Sequence, residues 1–440
     1  MNENALGGKP GRSGLRWVVI GLIAIATVIN YLDRNAIAVM WPAISTEIGA
    51  SKADYALLVT CFMAAYALGQ AVFGWLFDKI GTRKGFVISF LCWSASMGAL
   101  MLAGSTRVFA GLRAALGFSE AANWPGAAKA NAEWFPSKER ALAQGIFNAG
   151  ASLGAIISAP LVAVLYLFVG WRFTFVAIGV LGLIWLLPWL YFYRGGPETH
   201  PWISADERKL IVEGRQPANN TASSVAYVPT MGQLLKHRQA WAVIASRFFL
   251  DPIWWLFVSW LPIYLAETFH FDIKHIGMFA WVPYVGAVGG SLFGGWLSGA
   301  MIRAGRSVSA ARKTAITIGG VIMLPALLAS MQAGDPLTAV IEIAAILFGF
   351  QMAIGNIQTL PSDFFSGQTV GKLAGISGMA AVAGVLITTW LVPVLTKVSY
   401  TPIFAVAAAI VPLAVLSVWA LGRRIEPVVP AQAHASLKGN

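Results

Sequence analysis

The chain has 440 residues, 57% hydrophobic and 11% charged, with a mean hydropathy of +0.68, a balance that excludes an ordinary soluble domain. The formal net charge of +12 would by itself admit nucleic acid as a partner, so the placement of the charges has to decide. The two cysteines, Cys61 and Cys92, fall in apolar runs, where they are expected to pack as small apolar residues rather than to pair or bind metal.

Apolar stretches of about 20 residues, the length that crosses a bilayer, recur at 15–42, 54–78, 84–104, 107–128, 141–169, 171–193, 239–266, 275–301, 312–331, 336–361, 373–396 and 400–422. The sequence therefore predicts an all-α membrane protein with twelve transmembrane helices. Its 45 Gly and 21 Pro suit such helices, which use Gly for close packing and tolerate Pro where neighbours satisfy the backbone. Most of the 31 Lys and Arg fall on the segments that share a side with the N-terminus. This positive-inside pattern puts both termini in the cytoplasm and the protein in the inner (plasma) membrane. The basic bias then reports orientation, and the lipid bilayer rather than nucleic acid is the expected partner. The first apolar run is longer than a signal-peptide core and carries charges near its end, so it is expected to remain in place.

Taken in chain order, the first span contains TVINYLDRNAIAV, with Asp33 beside Arg34 inside an apolar run. A charge at the bilayer centre costs about 2.5–3.5 kcal/mol on insertion scales, so such residues need partners or water. Neighbours on a helix point about 100° apart, so Asp33 and Arg34 must each look elsewhere. Thr27, Asn30 and Arg34 form a polar stripe suited to line a cavity. The second span adds Tyr66 and Gln70. The loop GWLFDKIGTRKG at 74–85 follows it, where Asp78 and Arg83 can form a charge-assisted latch at a helix end. On the fourth span Arg113 and Glu120, seven apart, share a face without touching. On the fifth, Gln144, Asn148 and Ser152 continue a stripe at intervals of four.

Between about 195 and 238 the hydrophobic signal lapses into a polar, Pro- and Gly-containing linker with a short amphipathic stretch around Ser204 to Val212. In the second half, Arg247 and Asp251 are four apart and fit either a site or a structural pair. Trp281 and Tyr284 stand out among the dense aromatics of DPIWWLFVSW and MFAWVPY, and Gln351, Asn356 and Gln358 mark the tenth span. Uncharged groups of this kind could hydrogen-bond a polyhydroxylated ligand or join helices to one another.

The halves resemble each other. GWLFDKIG at 74–81 parallels GWLSGAMI at 295–302, and EWFPSKERALAQGI at 133–146 parallels DFFSGQTVGKLAGI at 363–376. The expected organisation is a six-helix bundle at 1–194, a cytoplasmic linker at 195–238, and a second six-helix bundle with a cytoplasmic tail at 239–440. Parallel repeats of this kind place a binding site at the midplane between them.

The loop signature at 74–85 resembles that of the major facilitator superfamily. The stretches NYLDRN, RAALGFSEAANWPGAAKANAEWFPSKERALAQGIFNAGASLGA and RQAWAVIASRFFLDPIWW, with FAWVP, resemble its anion:cation symporter family and most closely the hexuronate carriers within it. The resemblance extends from about residue 15 to 424. It implies the major facilitator fold and proton-coupled uptake of a small organic anion, a hexuronate or related sugar acid, by alternating access. By that likeness Asp33 and Glu120 carry protons and Arg34 grips the substrate carboxylate. Tyr66 matches a position associated with substrate. Galactonate carriers have Gln where this chain has Ala151, so the likeness points to glucuronate or galacturonate. A guanidinium's fixed fork suits a carboxylate, and burial opposes a nearby Arg in setting a carboxyl's pKa, which gives these roles a physical basis.

The candidate site is therefore Arg34, Tyr66, Arg113, Asn148, Gln351, Asn356, Gln358, Trp281 and Tyr284 for substrate, Asp33 and Glu120 for protons, and Asp78 with Arg83 for gating. The proton is the expected coupling ion, with no cofactor or metal, and the chain is expected to act as a monomer. A proton-linked exporter of drugs or aromatic compounds would share the fold and loop motif, with less need of a buried Arg. An enzyme is not expected, because the sequence has no metal-ligand cluster, no nucleophile with a base and no phosphate-cradling Gly loop, and its five His are scattered.

Overall fold

Long apolar runs whose backbone groups cannot bond to lipid fold as helices that satisfy themselves. In the computed structural model every long element is a helix. The structure describes residues 13–136, 139–214, 229–365 and 368–428, and a few side chains inside helices, among them Asp78, Gln144 and Asn148, lie outside the described ones. Two compact units divide the chain, Met1–Ala222 and Ser223–Asn440.

The first unit holds α1 (Leu15–Ile48), α2 (Lys52–Ala99), α3 (Thr106–Glu120), α4 (Asn123–Trp134), α5 (Arg140–Phe192) and α6 (Ala205–Gly214). Gly49 ends α1 in the left-handed conformation at φ 67°, and Ser51 with Asp54 starts α2 as a reciprocal capping box. Two helices are broken internally by glycines with positive φ, α2 at Gly81 (φ 80°) and α5 at Gly170 (φ 72°), so each supplies two straight segments. The fourth expected span is two helices rather than one, because the chain bends at Ala121–Ala122 directly after Glu120. α1 packs chiefly on α5, and α2 on α3.

The second unit holds α7 (Met231–Leu234), α8 (Arg238–Phe269), α9 (Ile273–Phe279), α10 (Val282–Arg303), α11 (Val308–Ala329), α12 (Pro336–Ile357), α13 (Leu360–Phe364), α14 (Gln368–Leu395) and α15 (Thr401–Gly422). Here α8 packs on α14 and α15, and α12 on α10 and α11. Among the described residues, ten helical stretches are long and apolar enough to cross a membrane. One of the ten, Gly145–Phe192, is 48 residues long and contains the break at Gly170.

Side-chain clasps recur in both units. Glu47, near the end of α1, accepts from Trp171 Nε1 at 2.6 Å and from Arg172, while Glu267 near the end of α8 accepts from Tyr400 Oη at 2.7 Å. Glu133 on α4 accepts from Thr82 Oγ1 at 2.8 Å and Tyr193 Oη at 2.6 Å, and Asp363 on α13 accepts from Arg312 Nε at 3.0 Å. Glu133 and Asp363 hold matching positions in the repeated stretches 133–146 and 363–376.

Part of the expected linker belongs to the first unit. Glu207 on α6 is buried and caps the start of α1, accepting from the backbone N–H of Gly14 at 2.8 Å, Leu15 at 3.1 Å and Arg16 at 3.3 Å. Arg16 completes the joint, with Nη1 2.7 Å from Glu207 Oε1 and Nε 2.9 Å from Glu139 Oε2. His200 packs edge-on against Trp134, donates through Nε2 to Phe192 O at 2.8 Å and accepts at Nδ1 from Trp202 N–H at 3.2 Å. Burial pushes this imidazole below its ordinary pKa.

Candidate functional site

Glycines bring the charged helices of the first unit together. A Cβ on Gly117 of α3 would lie 2.3 Å from Phe62 O on α2, and one on Gly154 of α5 would lie 2.7 Å from Val28 O on α1. Backbones this close force the side chains around them into shared layers. Thr27, Asn30, Asp33, Arg34, Arg113, Glu120 and Asn123 are all buried in the unit.

The cluster centres on Glu120, which is 0% exposed. Its Oε2 accepts from Arg34 Nε at 3.0 Å and from Asn30 Nδ2 at 3.2 Å. Asn123, just past the bend, donates to Thr27 Oγ1 at 3.0 Å, and Thr27 passes its own proton to Ile23 O at 3.0 Å. The polar stripe of α1 thus faces the bend between α3 and α4. Asp33, turned away from Arg34, accepts instead from the indole Nε1–H of Trp93 in the second segment of α2. Farther along α1, Asn35 donates to Ser158 Oγ on α5 at 2.8 Å.

Aromatic faces carry the two cations. The Arg34 guanidinium carbon lies 4.6 Å from the ring centre of Tyr66, 5.4 Å from that of Tyr31 and 5.6 Å from that of Phe62. Arg113 lies 4.4 Å over Phe62, whose ring stacks on Tyr66 at 5.9 Å. Cation–π contacts of this sort offset part of the desolvation cost of a buried guanidinium. Two acids and two bases balance the cluster.

The polar atoms are not all matched. Among the described residues, Arg113 Nε and Nη1, Glu120 Oε1, Asp33 Oδ1, Asn30 Oδ1 and Asn123 Oδ1 have no hydrogen-bond partner. Unmatched buried donors and acceptors are costly unless something else meets them. A carboxylate could take the Arg113 N–H groups, and protons could reach the open oxygens of Asp33 and Glu120. Arg34, by contrast, is already engaged by Glu120. Spacing had put Arg113 and Glu120 on one face of their helix; the bonded pair is Glu120 with Arg34 across two helices.

In the first unit Tyr66 is buried beneath Arg34, and Gln70 is exposed. Arg83 donates from Nη2 to Leu190 O at 3.1 Å. The side chains of its expected partner Asp78, and of Asn148, are outside the described residues. In the second unit Gln351 is half-buried and Gln358 exposed. Asn356 is buried and donates to Gly294 O at 3.3 Å and Met352 O at 3.0 Å while accepting from Arg312 Nη1 at 3.3 Å. Trp281 donates to Met278 O at 2.9 Å, and Tyr284 donates to Phe257 O at 3.4 Å with its ring against Trp254. Asn356, Trp281 and Tyr284 therefore direct polar groups into their own unit. Arg247 binds Asp251 at 2.7 Å and Ser377 Oγ at 3.3 Å, while Arg247 Nε and Asp251 Oδ1 have no hydrogen-bond partner among the described residues. Trp93 and Phe62 were not singled out from the sequence, because no spacing rule links an aromatic in one apolar run to a charge in another.

A model of the Major Facilitator Superfamily matches residues 23–366. The chain is 34% identical over 409 residues to the hexuronate transporter of Escherichia coli (strain K12), covering 92% of this chain and 94% of that protein. It is 35% identical over 312 residues to the galacturonate transporter of Dickeya chrysanthemi, covering 71% and 90%. The fold is similar to the crystal structure of a bacterial homolog to the human lysosomal transporter Spinster in an inward-facing and occupied conformation. That likeness has a TM-score of 0.72 at 17% identity and covers 94% of this chain and 98% of that one. The chain thus belongs to the major facilitator superfamily, as a multi-pass membrane protein of a transporter family and not an enzyme.

Proposed function

We propose that the protein takes up a hexuronate, glucuronate or galacturonate, together with protons, by alternating access between two six-helix halves. In this reading there are twelve spans: α2 and α5 supply two each, and α3 with α4 forms the fourth, bent at Glu120. Both termini lie in the cytoplasm. The observation that carries the proposal is the buried contact of Arg34 with Glu120 at 3.0 Å, with Arg113 in the same cluster, in a chain whose relatives include a hexuronate and a galacturonate transporter.

While Glu120 is ionised it takes Arg34 Nε and pairs the guanidinium's charge, so a second carboxylate gains less there. Protonation of Glu120 removes the charge that engages Arg34, and the substrate carboxylate then takes its place in the guanidinium fork. Arg113 is a second cation for the same anion, and Tyr66 shapes the floor under Arg34. Asp33 carries a proton beside this exchange. The loaded carrier turns inward, the carboxyls lose their protons to the cytoplasm, and Glu120 reclaims Arg34 as the uronate leaves. Each half-cycle exchanges one anionic partner of Arg34 for another, which limits the cost of keeping the guanidinium buried.

Calorimetric titration of the purified protein with glucuronate tests the binding assignment. Wild type is expected to bind and Arg34→Ala to show no heat of binding. Unchanged affinity in Arg34→Ala would remove Arg34 from the substrate site.

A further inference from the structure

Trp93 contacts Asp33 and has no part in the cycle above. Its ring is 2% exposed and lies 4.4 Å from Phe90. Phe90 stacks on Trp185 at 4.0 Å and 19°, and Trp185 Nε1 donates to Leu22 O on α1 at 2.8 Å. The stack therefore grips α1 at two points, at the Leu22 carbonyl and, three turns on, at the Asp33 carboxylate. An indole locked this way has little freedom to follow the carboxyl if it rotates. One oxygen of Asp33, Oδ2, takes the indole N–H, while Oδ1 has no partner among the described residues.

We propose that Trp93 is a positioning residue for proton coupling: its indole N–H pins Asp33 Oδ2, sets the carboxylate's rotamer, and leaves Oδ1 as the oxygen that gains and loses the proton. A neutral donor binds an ionised carboxylate more strongly than a protonated one, so the same bond favours release of the proton. The charged groups that act on Asp33 are Glu120 and Arg113 from α3 and Arg34 on α1. All three persist when residue 93 is changed, so substitution there isolates the indole. The inference rests on the reading that Asp33 carries a proton.

The test is the pH dependence of glucuronate exchange by the full chain in proteoliposomes, compared among wild type, Trp93→Phe, Trp93→Leu, Trp185→Phe and Asp33→Asn. Loss of a hydrogen bond to a charged group corresponds to about one to two pH units. The midpoint is therefore expected to move upward by about that much in both variants at position 93, since the undonated carboxylate holds its proton to higher pH. Trp185→Phe removes an indole N–H from the same stack without touching Asp33, and is expected to keep the wild-type midpoint. That control separates positioning from a general loosening of the stack. If the Trp93 variants keep the wild-type midpoint while Asp33→Asn alters the profile, Trp93 has no such role and Asp33 keeps its own. If Asp33→Asn leaves the profile unchanged, the proton-carrier reading fails and this inference falls with it. Two variants at position 93 are included so that a folding defect in one leaves the other to decide.

Discussion

Replacing Glu120 by Gln removes one charge at the centre of the cluster with little change of shape. The carboxylate oxygen that accepts from Arg34 Nε at 3.0 Å and Asn30 Nδ2 at 3.2 Å becomes an amide oxygen that can still accept. Arg34 stays charged, so its bond to the amide remains a hydrogen bond to a charged group, at about 1.5–3 kcal/mol. The carboxylate's own charge is what is lost, and the hold on Arg34 weakens by about 1–2 kcal/mol. An upper bound is the cost of breaking a buried pair outright, about 3–5 kcal/mol. At about 2–4 °C per kcal/mol for a unit of this size, the melting temperature is expected to fall by several degrees. The functional effect runs the other way for binding: Arg34 faces a neutral amide instead of a carboxylate at every pH, so uronate affinity is kept or rises. What disappears is the exchange of a proton for the Arg34 contact. In proteoliposomes Glu120→Gln is thus expected to catalyse counterflow of labelled glucuronate and to fail to accumulate it against its gradient. Retained accumulation would refute the coupling role. Loss of counterflow in a folded variant would instead make Glu120 a substrate contact.

Three further outcomes follow from the packing. Gly117→Val places a branched side chain where a Cβ alone would stand 2.3 Å from Phe62 O; overpacking against backbone costs about 1–3 kcal/mol or more, and lower yield or melting temperature in thermal unfolding should report it. Glu207→Gln keeps an acceptor but loses the charge shared by Arg16 and three backbone N–H groups, so hydrogen exchange at the first turn of α1 should rise, with little change at α15. His200 is held below its ordinary pKa of 6.5 by burial, so the unfolded chain binds a proton there before the folded one does. Its contribution to stability is present above about pH 6.5 and falls as the pH drops below that value. Unfolding scans between pH 7.5 and 5 should show this slope in wild type and a smaller one in His200→Gln, at roughly 1.4 kcal/mol per pH unit at most.

Most of the helices were legible because a bilayer-length apolar run carries its own length signal. Boundaries were less so where a helix bends without a polar gap. The fourth span divides at Ala121–Ala122, and the eighth at Ala280–Trp281, within stretches that read as continuous. The short helix α6 was visible as an amphipathic stretch, but its docking on α1 was not, since Glu207 sits among other acids in a polar segment and only the fold brings it to Gly14. Asp33, Arg34, Arg113 and Glu120 stood out because charges in apolar runs are rare. Their pairing could not be read, because helix periodicity orders residues along one helix and is silent about which helix faces it. Arg34 finds Glu120 from 86 positions away and Asp33 finds Trp93 from 60.

The most direct measurement of the whole account is uptake of labelled glucuronate by purified wild-type protein in proteoliposomes with an imposed pH gradient, interior alkaline. Glucuronate is expected to accumulate above the external concentration, to lose that accumulation when a protonophore is added, and to be competed by galacturonate but not by lipophilic cations. Glucuronate entry that only equilibrates and is indifferent to the protonophore would contradict proton coupling, and absence of uronate entry in protein that transports lipophilic cations would contradict the substrate assignment.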